Sequence, residues 1–264
     1  MARTIACANQ KGGVGKTTTV VNLASVLARS GIRTLVVDLD PQGNATSGFG
    51  IDRNAVQGSI YDAIVGDAAM DQMIVLEASF GVAVIPAAIA LAGAEIELAA
   101  LEARERRLQR LLGPLKDRFD VIFIDCPPSL GLLTVNALTA ADAVLVPLQC
   151  EYYALEGSTQ LLATIDLVRD HLHPTLRLDG VVLTMFDART RLSADVEAEA
   201  RRHLGRAVYE TVIPRSVRLS EAPSHGRPIS AYAPTSRGAV AYDALAHEFA
   251  GRNHLSLAPS VAVA

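Results

Sequence analysis

The sequence predicts an α/β fold: a doubly wound, mostly parallel sheet flanked by helices. Three observations carry this. Seven apolar strand-like runs alternate with seven helix-like runs, with no linker between them, as in a series of strand–crossover–strand units. The apolar surplus is mostly Ala, Val and Leu, as expected of parallel strands buried on both faces. Three polar, turn-rich loops each follow a strand-like run, and ligands of such sheets sit at the carboxyl ends of the strands.

The chain has 264 residues, 50% hydrophobic and 20% charged, enough for one large domain with a substantial core. The expected boundaries are a single domain over 1–251 and a flexible tail over 252–264. Mean hydropathy is high, at +0.27, yet no run approaches the roughly 18 apolar residues of a membrane span. No basic region followed by an apolar run opens the chain, so no signal peptide is expected and the predicted location is cytoplasmic. Cys7, Cys126 and Cys150 are far apart and form no CxxC; they read as reduced, buried thiols. The net charge is −4, which argues against a uniformly basic nucleic-acid binder. Between Arg177 and Arg237, however, ten arginines face seven acids, against fourteen basic and twenty-one acidic residues elsewhere. The C-terminal third is the electropositive part, either as ordinary solvated surface or as a surface for an anionic partner.

Along the chain, the strand-like run Ile5–Ala8 leads into Lys11-Gly12-Gly13-Val14-Gly15-Lys16-Thr17-Thr18, and a helix-like run covers Thr18–Arg29. Strand, glycine loop, helix is the context a phosphate-binding loop requires. The glycines let backbone N–H groups turn onto phosphate oxygens, and the helix N-terminus adds partial positive charge. Lys16 is placed to reach the β- and γ-phosphates, and Thr17 to put a hydroxyl on Mg²⁺. The usual pattern has glycine five residues before the Gly-Lys pair; here Gln10 stands there, and a second lysine, Lys11, opens the loop.

The run Thr34–Asp38 enters Leu39-Asp40-Pro41-Gln42-Gly43-Asn44-Ala45-Thr46. Acids at the end of an apolar strand are costly unless solvated, paired or near a metal. An Asp here can orient an attacking water or hold a water on Mg²⁺; the plainer reading of Asp40 is a turn cap before Pro41. Helix Ser59–Val65 and strand Val82–Ile85 follow. One long helix is expected over Ala94–Leu112, where i,i+3 and i,i+4 pairs among Glu102, Arg104, Glu105, Arg106, Arg107 and Arg110 mark an exposed charged face or a partner surface. Strand Val121–Ile124 ends in Asp125-Cys126-Pro127-Pro128, the form of a strand whose terminal acid holds Mg²⁺ through water before a stiffened turn. Helix Leu132–Ala140, strand Ala143–Pro147 and helix Leu155–His171 continue the alternation. Tyr152 and Tyr153 stand at a strand-to-helix corner, where packing is the default. The remaining elements are strand Leu178–Thr184, helix Ala194–Leu204, strand Val208–Ile213 and helix Arg237–Ala250.

The loop from Lys11 to Thr17 resembles the deviant Walker A loop of the ParA/MinD family, patterned KGGxGK[ST]. The resemblance covers nearly the whole chain, from Ile5 to about Ala250. It includes Ala92–Leu98, Leu183–Thr190 and Ser220–Gly226, which look like the chromosomal ParA proteins also called Soj. It implies a Mg²⁺-dependent ATPase that forms a homodimer when ATP is bound, with Lys11 reaching the other subunit's nucleotide. Residues 11–18 would hold ATP, Asp40 would position the hydrolytic water, Thr17 and Asp125 would serve Mg²⁺, and Asp38 would lie near the Mg²⁺ shell or be structural. The segment Ile213–Pro223 resembles the family's adenine-side loop, with Pro214 and Ser216 at the base-contact positions. ParA sequences commonly carry Asn where Ser216 stands, and a hydroxyl offers less than an amide. The segment with Tyr152 and Tyr153 falls near the nucleotide and dimer interface by the same resemblance.

The resemblance also implies non-specific binding of double-stranded DNA by the ATP dimer, stimulation by a ParB-type protein, a nucleoid-associated location and a role in chromosome partition. Arg189, Arg191 and Arg218 lie in the electropositive third; the resemblance singles out Arg189 and Arg218. A MinD-like membrane-cycling or cargo-positioning ATPase is the alternative. The stretch Ala239–Ala264 has one arginine, Arg252, and no lysine, so a basic membrane-binding helix is not expected. The nitrogenase iron-protein type needs two bridging cysteines, which Cys126 and Cys150 do not supply convincingly. A small-molecule ligase of the dethiobiotin synthetase type would share the fold but lack the Lys11 signature.

Overall fold

The computed structural model describes residues 1–66, 68–77, 80–151 and 154–258, with 154–159 described by backbone alone. Seven strands form one sheet: β1 (Arg3–Cys7), β2 (Thr34–Asp38), β3 (Val75–Glu77), β4 (Val82–Ile85), β5 (Val121–Asp125), β6 (Ala143–Gln149) and β7 (Arg177–Thr184). Their order is β3-β4-β2-β5-β1-β6-β7. All neighbours are parallel except β3, which pairs antiparallel with β4 at the edge. β1, β2, β4, β5 and β6 are almost wholly buried. Each of these five strands feeds two cores: Ile122 and Ile124 of β5 face one, Val121 and Phe123 the other. Burial on both faces is why their sequences are apolar throughout rather than alternating.

The longer helices are α1 (Lys16–Arg29), α6 (Leu132–Ala140), α7 (Ala154–His171), α8 (Arg191–Leu204) and α11 (Arg237–Arg252). Short ones are α2 (Asn44–Gly48), α3 (Ile60–Ile64), α4 (Ala94–Leu98), α5 (Arg107–Leu112), α9 (Val217–Glu221) and α10 (Ile229–Tyr232). The last helix runs to Arg252, and beyond it Leu255 and Leu257 pack against the second core while the Ala258 N–H bonds the Ser30 carbonyl. No helix among the described residues is long and apolar enough to cross a membrane.

Two expected elements differ. The helix expected over Ala94–Leu112 is broken into α4, a 3₁₀ turn at Arg104–Arg106 and α5. Ala103 adopts a left-handed φ of 47°, an unfavourable state for alanine. Contacts with α6 outweigh that cost: Asn136 donates to the Arg104 carbonyl and accepts from the Leu108 N–H, and the Glu95 carboxylate takes the Leu133 N–H. Arg107, expected on a charged face, is buried and donates to the carbonyls of Ile64 and Val65. The strand expected over Val208–Ile213 is only two isolated parallel bridges, Val181 with Val208 and Phe186 with Pro214. The N–H groups of Tyr209 and Ile213 bond the Val181 and Leu183 carbonyls of β7, but between them the Glu248 carboxylate accepts the N–H groups of Glu210 and Thr211, both at 2.8 Å.

Candidate nucleotide-binding site

The glycine loop leaves β1 and enters α1 at the carboxyl edge of the sheet. Gly13 and Gly15 hold φ of 74° and 91°, which a side chain would strain. The loop is braced from below. Thr184 donates to the Val14 carbonyl at 2.8 Å, the Asn9 side chain donates through Nδ2 to the Pro147 carbonyl at 2.7 Å, and its Oδ1 accepts the Lys11 N–H at 3.0 Å. Lys16 is buried, its Nζ donating to the Lys11 carbonyl at 3.2 Å. Lys11, Gly12 and Gly13 are exposed, and Gly12 faces Pro128 of the loop after β5.

The register of β2, β5 and β1 sets Asp38, Asp125 and Cys7 side by side. The three loops singled out by sequence therefore meet at one edge. Thr17 donates to Asp125 Oδ2 at 2.7 Å. Asp125 Oδ1 is buried with no hydrogen-bond partner. Asp38 accepts from the Thr46 N–H at 2.7 Å and the Thr46 hydroxyl at 2.6 Å on one oxygen, and from the Asp40 N–H at 3.3 Å on the other. Asp40 is buried and accepts the Gln42 N–H at 2.9 Å. The turn-cap reading of Asp40 thus describes one of its oxygens.

Burial dominates the electrostatics. It pushes the Asp38 carboxyl up to about 6, against the lowering effect of its Thr46 bonds. It pushes Asp125 well above the carboxylate range, and the Asp38 charge adds to this while Thr17 and Lys16 oppose it. Buried carboxylates so close favour a cation between or beside them. An orphaned carboxylate oxygen next to a threonine hydroxyl fits Mg²⁺, a hard ion bound through few protein oxygens, waters and phosphates. Cys7, Cys126 and Cys150 are all buried, and burial raises each thiol, Cys150 to about 12, so all three are inert thiols at neutral pH.

Beside Gly15 and Thr18 lies a cavity of about 470 Å³ whose wall includes Pro214 and Ser216, with Met185, Leu219 and Tyr242. The size and mixed lining suit a planar base. Ser216 precedes α9 and makes no side-chain capping bond. Arg189 lies in the turn between β7 and α8 and Arg218 on α9, each just beyond one side of the Phe186–Pro214 bridge. Both are exposed and ion-paired, Arg189 with Asp187 at 2.7 Å and Arg218 with Glu221 at 2.9 Å. Arg191 contacts Asp195 at 3.8 Å. Tyr152 and Tyr153 lie outside the described residues. Sequence reasoning gave no role to Asn9, Thr46, Thr184 or Met185. Asn9 and Thr184 are polar residues at the carboxyl ends of apolar strands, which is a signal in itself; Thr46, inside α2, offers none. Nor does Met185, at φ 53°.

A family model described as an AAA domain matches residues 2–178. The sporulation initiation inhibitor protein Soj of Bacillus subtilis is 57% identical over 250 residues, covering 95% of this chain and 99% of that protein. The chromosome partitioning protein ParA of Myxococcus xanthus is 51% identical, covering 96% and 89% respectively. The chain belongs to the ParA/Soj family of chromosome-partitioning ATPases. Among solved structures, a protein from Mycobacterium smegmatis described as cobyrinic acid a,c-diamide synthase, with bound ADP and magnesium, is 40% identical. It covers 98% of this chain and all of its own, with a TM-score of 0.83. The ParA/Soj relatives thus match the chain over nearly its full length.

Proposed function

We propose that this chain hydrolyses ATP to ADP and phosphate with Mg²⁺, and that ATP switches it between a monomer and a DNA-binding homodimer for chromosome partition. The observation that carries the reading is the meeting of Lys16, Thr17, Asp38, Asp40 and Asp125 around one glycine loop. The loop amides and Lys16 hold the phosphates. Thr17 and Asp125 hold the metal, Asp125 through water, and Asp38 fixes the Thr46 end of the neighbouring loop. When bound, Mg²⁺ neutralises charge on the β- and γ-phosphates. Asp40 orients the attacking water and accepts its proton. Pro214 and Ser216 border the base. Lys11, exposed at the outer end of the loop, supplies a cation to the partner's phosphates, as an arginine finger does.

DNA binding rests on arithmetic. Arg189 and Arg218 are held only by exposed ion pairs, which exchange for phosphate at little cost. A monomer with a few such contacts binds feebly; a dimer doubles them, and affinity depends steeply on their number. A ParB-type protein at centromere-like sites then accelerates hydrolysis and dismantles the dimer. The synthase description of the Mycobacterium smegmatis relative raises a ligase reading. The higher identity to Soj over 99% of its length and the second loop lysine favour the partition ATPase.

The deciding experiment is binding to non-specific duplex DNA with ATP, ADP or no nucleotide, over a salt series. Tight, salt-sensitive binding with ATP alone is expected. Equal binding by a dimer-blocked variant would sink the switch, and no binding in any state would favour a membrane-cycling or other cargo-positioning role.

A further inference from the structure

At the edge of the sheet opposite the nucleotide loops lies a second cavity, of about 570 Å³, rimmed by four arginines. Arg3 opens β1, Arg177 opens β7, Arg206 sits in the turn after α8, and Arg252 ends α11. Two are fixed walls. Arg252 stacks 3.9 Å over the Tyr209 ring and donates to the carbonyls of Arg206 and Val208 and to Glu248. Arg3 donates to Asn253 at 3.0 Å. The other two are free arms: among the described residues, Arg177 and Arg206 make no ion pair or side-chain hydrogen bond, and both are exposed.

Two acids also line the cavity, and both are engaged. Asp179 accepts from Tyr209 at 2.6 Å and from Asn253 at 2.9 Å. Glu210 is turned to solvent, 88% exposed, beside Arg201. The cavity therefore carries a surplus of guanidinium charge with donors to spare. Guanidinium forks suit the paired oxygens of phosphate groups. The Tyr209 face is covered by Arg252 and the ring is buried, so no aromatic surface is offered to a nucleobase. Recognition would go to phosphate charge alone.

We propose that this cavity is a second anion site, for the phosphate groups of an oligophosphate or of a nucleic-acid backbone, with Arg177 and Arg206 as its closing arms. It is independent of the glycine loop, which lies at the other end of the strands.

The test uses the full chain with its nucleotide site saturated by ADP and Mg²⁺. Tripolyphosphate is titrated calorimetrically at low salt against wild type, Arg177→Ala/Arg206→Ala and Arg177→Lys/Arg206→Lys. One further site per chain is expected, weakened about tenfold or more by the alanine pair and partly restored by lysine, which keeps the charge without the fork. A parallel salt series with ATP and duplex DNA separates the sources. A salt slope lower by about two per chain in the alanine pair identifies backbone phosphate. An unchanged slope with loss of the tripolyphosphate site identifies a free oligophosphate. Unchanged ADP affinity verifies that the variants are folded. The proposal is overturned if neither tripolyphosphate binding nor the DNA slope differs between wild type and the alanine pair. Tighter binding of polyglutamate than of tripolyphosphate overturns it too.

Discussion

Replacing Thr17 by valine keeps the shape of the side chain and removes one hydroxyl. That hydroxyl donates to Asp125 Oδ2 at 2.7 Å, while Oδ1 has no partner in the protein. Thr17→Val therefore leaves both oxygens of a fully buried carboxyl unpaired. An unsatisfied buried polar group costs about 1–3 kcal/mol, and each kcal/mol shifts the midpoint of a domain of this size by about 2–4 °C. The loss should grow as pH rises. The Thr17 bond lowers the Asp125 carboxyl, which burial has raised, so its removal disfavours the charged form further. Thr17→Ser returns the hydroxyl and should restore most of the stability. The second readout is Mg²⁺. ADP affinity measured with Mg²⁺ and with EDTA should differ in wild type and Thr17→Ser, and the difference should shrink in Thr17→Val. Calorimetric unfolding across pH and nucleotide titration test both halves. A Thr17→Val protein with wild-type stability and a wild-type Mg²⁺ effect would refute the pairing of Thr17 with Asp125 as the core of a metal site.

Lys16→Ala removes a buried cation and a charge-assisted contact to phosphate, worth about 1.5–3 kcal/mol, so ATP affinity should fall about tenfold to a hundredfold and ATP-dependent dimerisation should vanish; unchanged affinity by calorimetry refutes its role. Asp40→Ala should bind ATP and dimerise but stall, and wild-type phosphate release would remove Asp40 from the mechanism. Asp38→Asn tests the buried acid pair. The folded carboxyl lies at about 6 against an ordinary 3.8, so the folded state holds its proton more tightly and the charge costs stability as pH rises through that window. The midpoint difference, variant minus wild type, should grow in the variant's favour from about pH 4 to 6 and then level off; a pH-independent difference contradicts this. Arg189→Ala and Arg218→Ala should each weaken DNA binding and flatten its salt dependence while leaving nucleotide affinity intact, and an unchanged salt slope in both would move the DNA surface elsewhere.

The order of strands and helices was legible because burial on both faces makes parallel strands apolar throughout, and β2, β4 and α6 begin and end where their apolar runs do. The glycine loop was legible because its chemistry is local: backbone N–H groups, one lysine and one threonine lie within a single turn of chain. Asp38, Asp40 and Asp125 were legible as acids out of place at the ends of apolar strands. Their adjacency was not, because Asp38 and Asp125 are far apart in sequence and meet only through the register of β2 with β5. The break at Ala103 came from Asn136 and Glu95 competing with helix hydrogen bonds across a helix interface. The strand before Pro214 is interrupted where a carboxylate on α11 takes two of its N–H groups. The four arginines of the second cavity, at positions 3, 177, 206 and 252, have no sequence pattern at all. Local periodicity and loop chemistry reside in neighbouring residues, so the sequence alone determined them. Register, competition for hydrogen bonds and the gathering of distant charges arise only when the chain closes on itself, so the tertiary structure decided those.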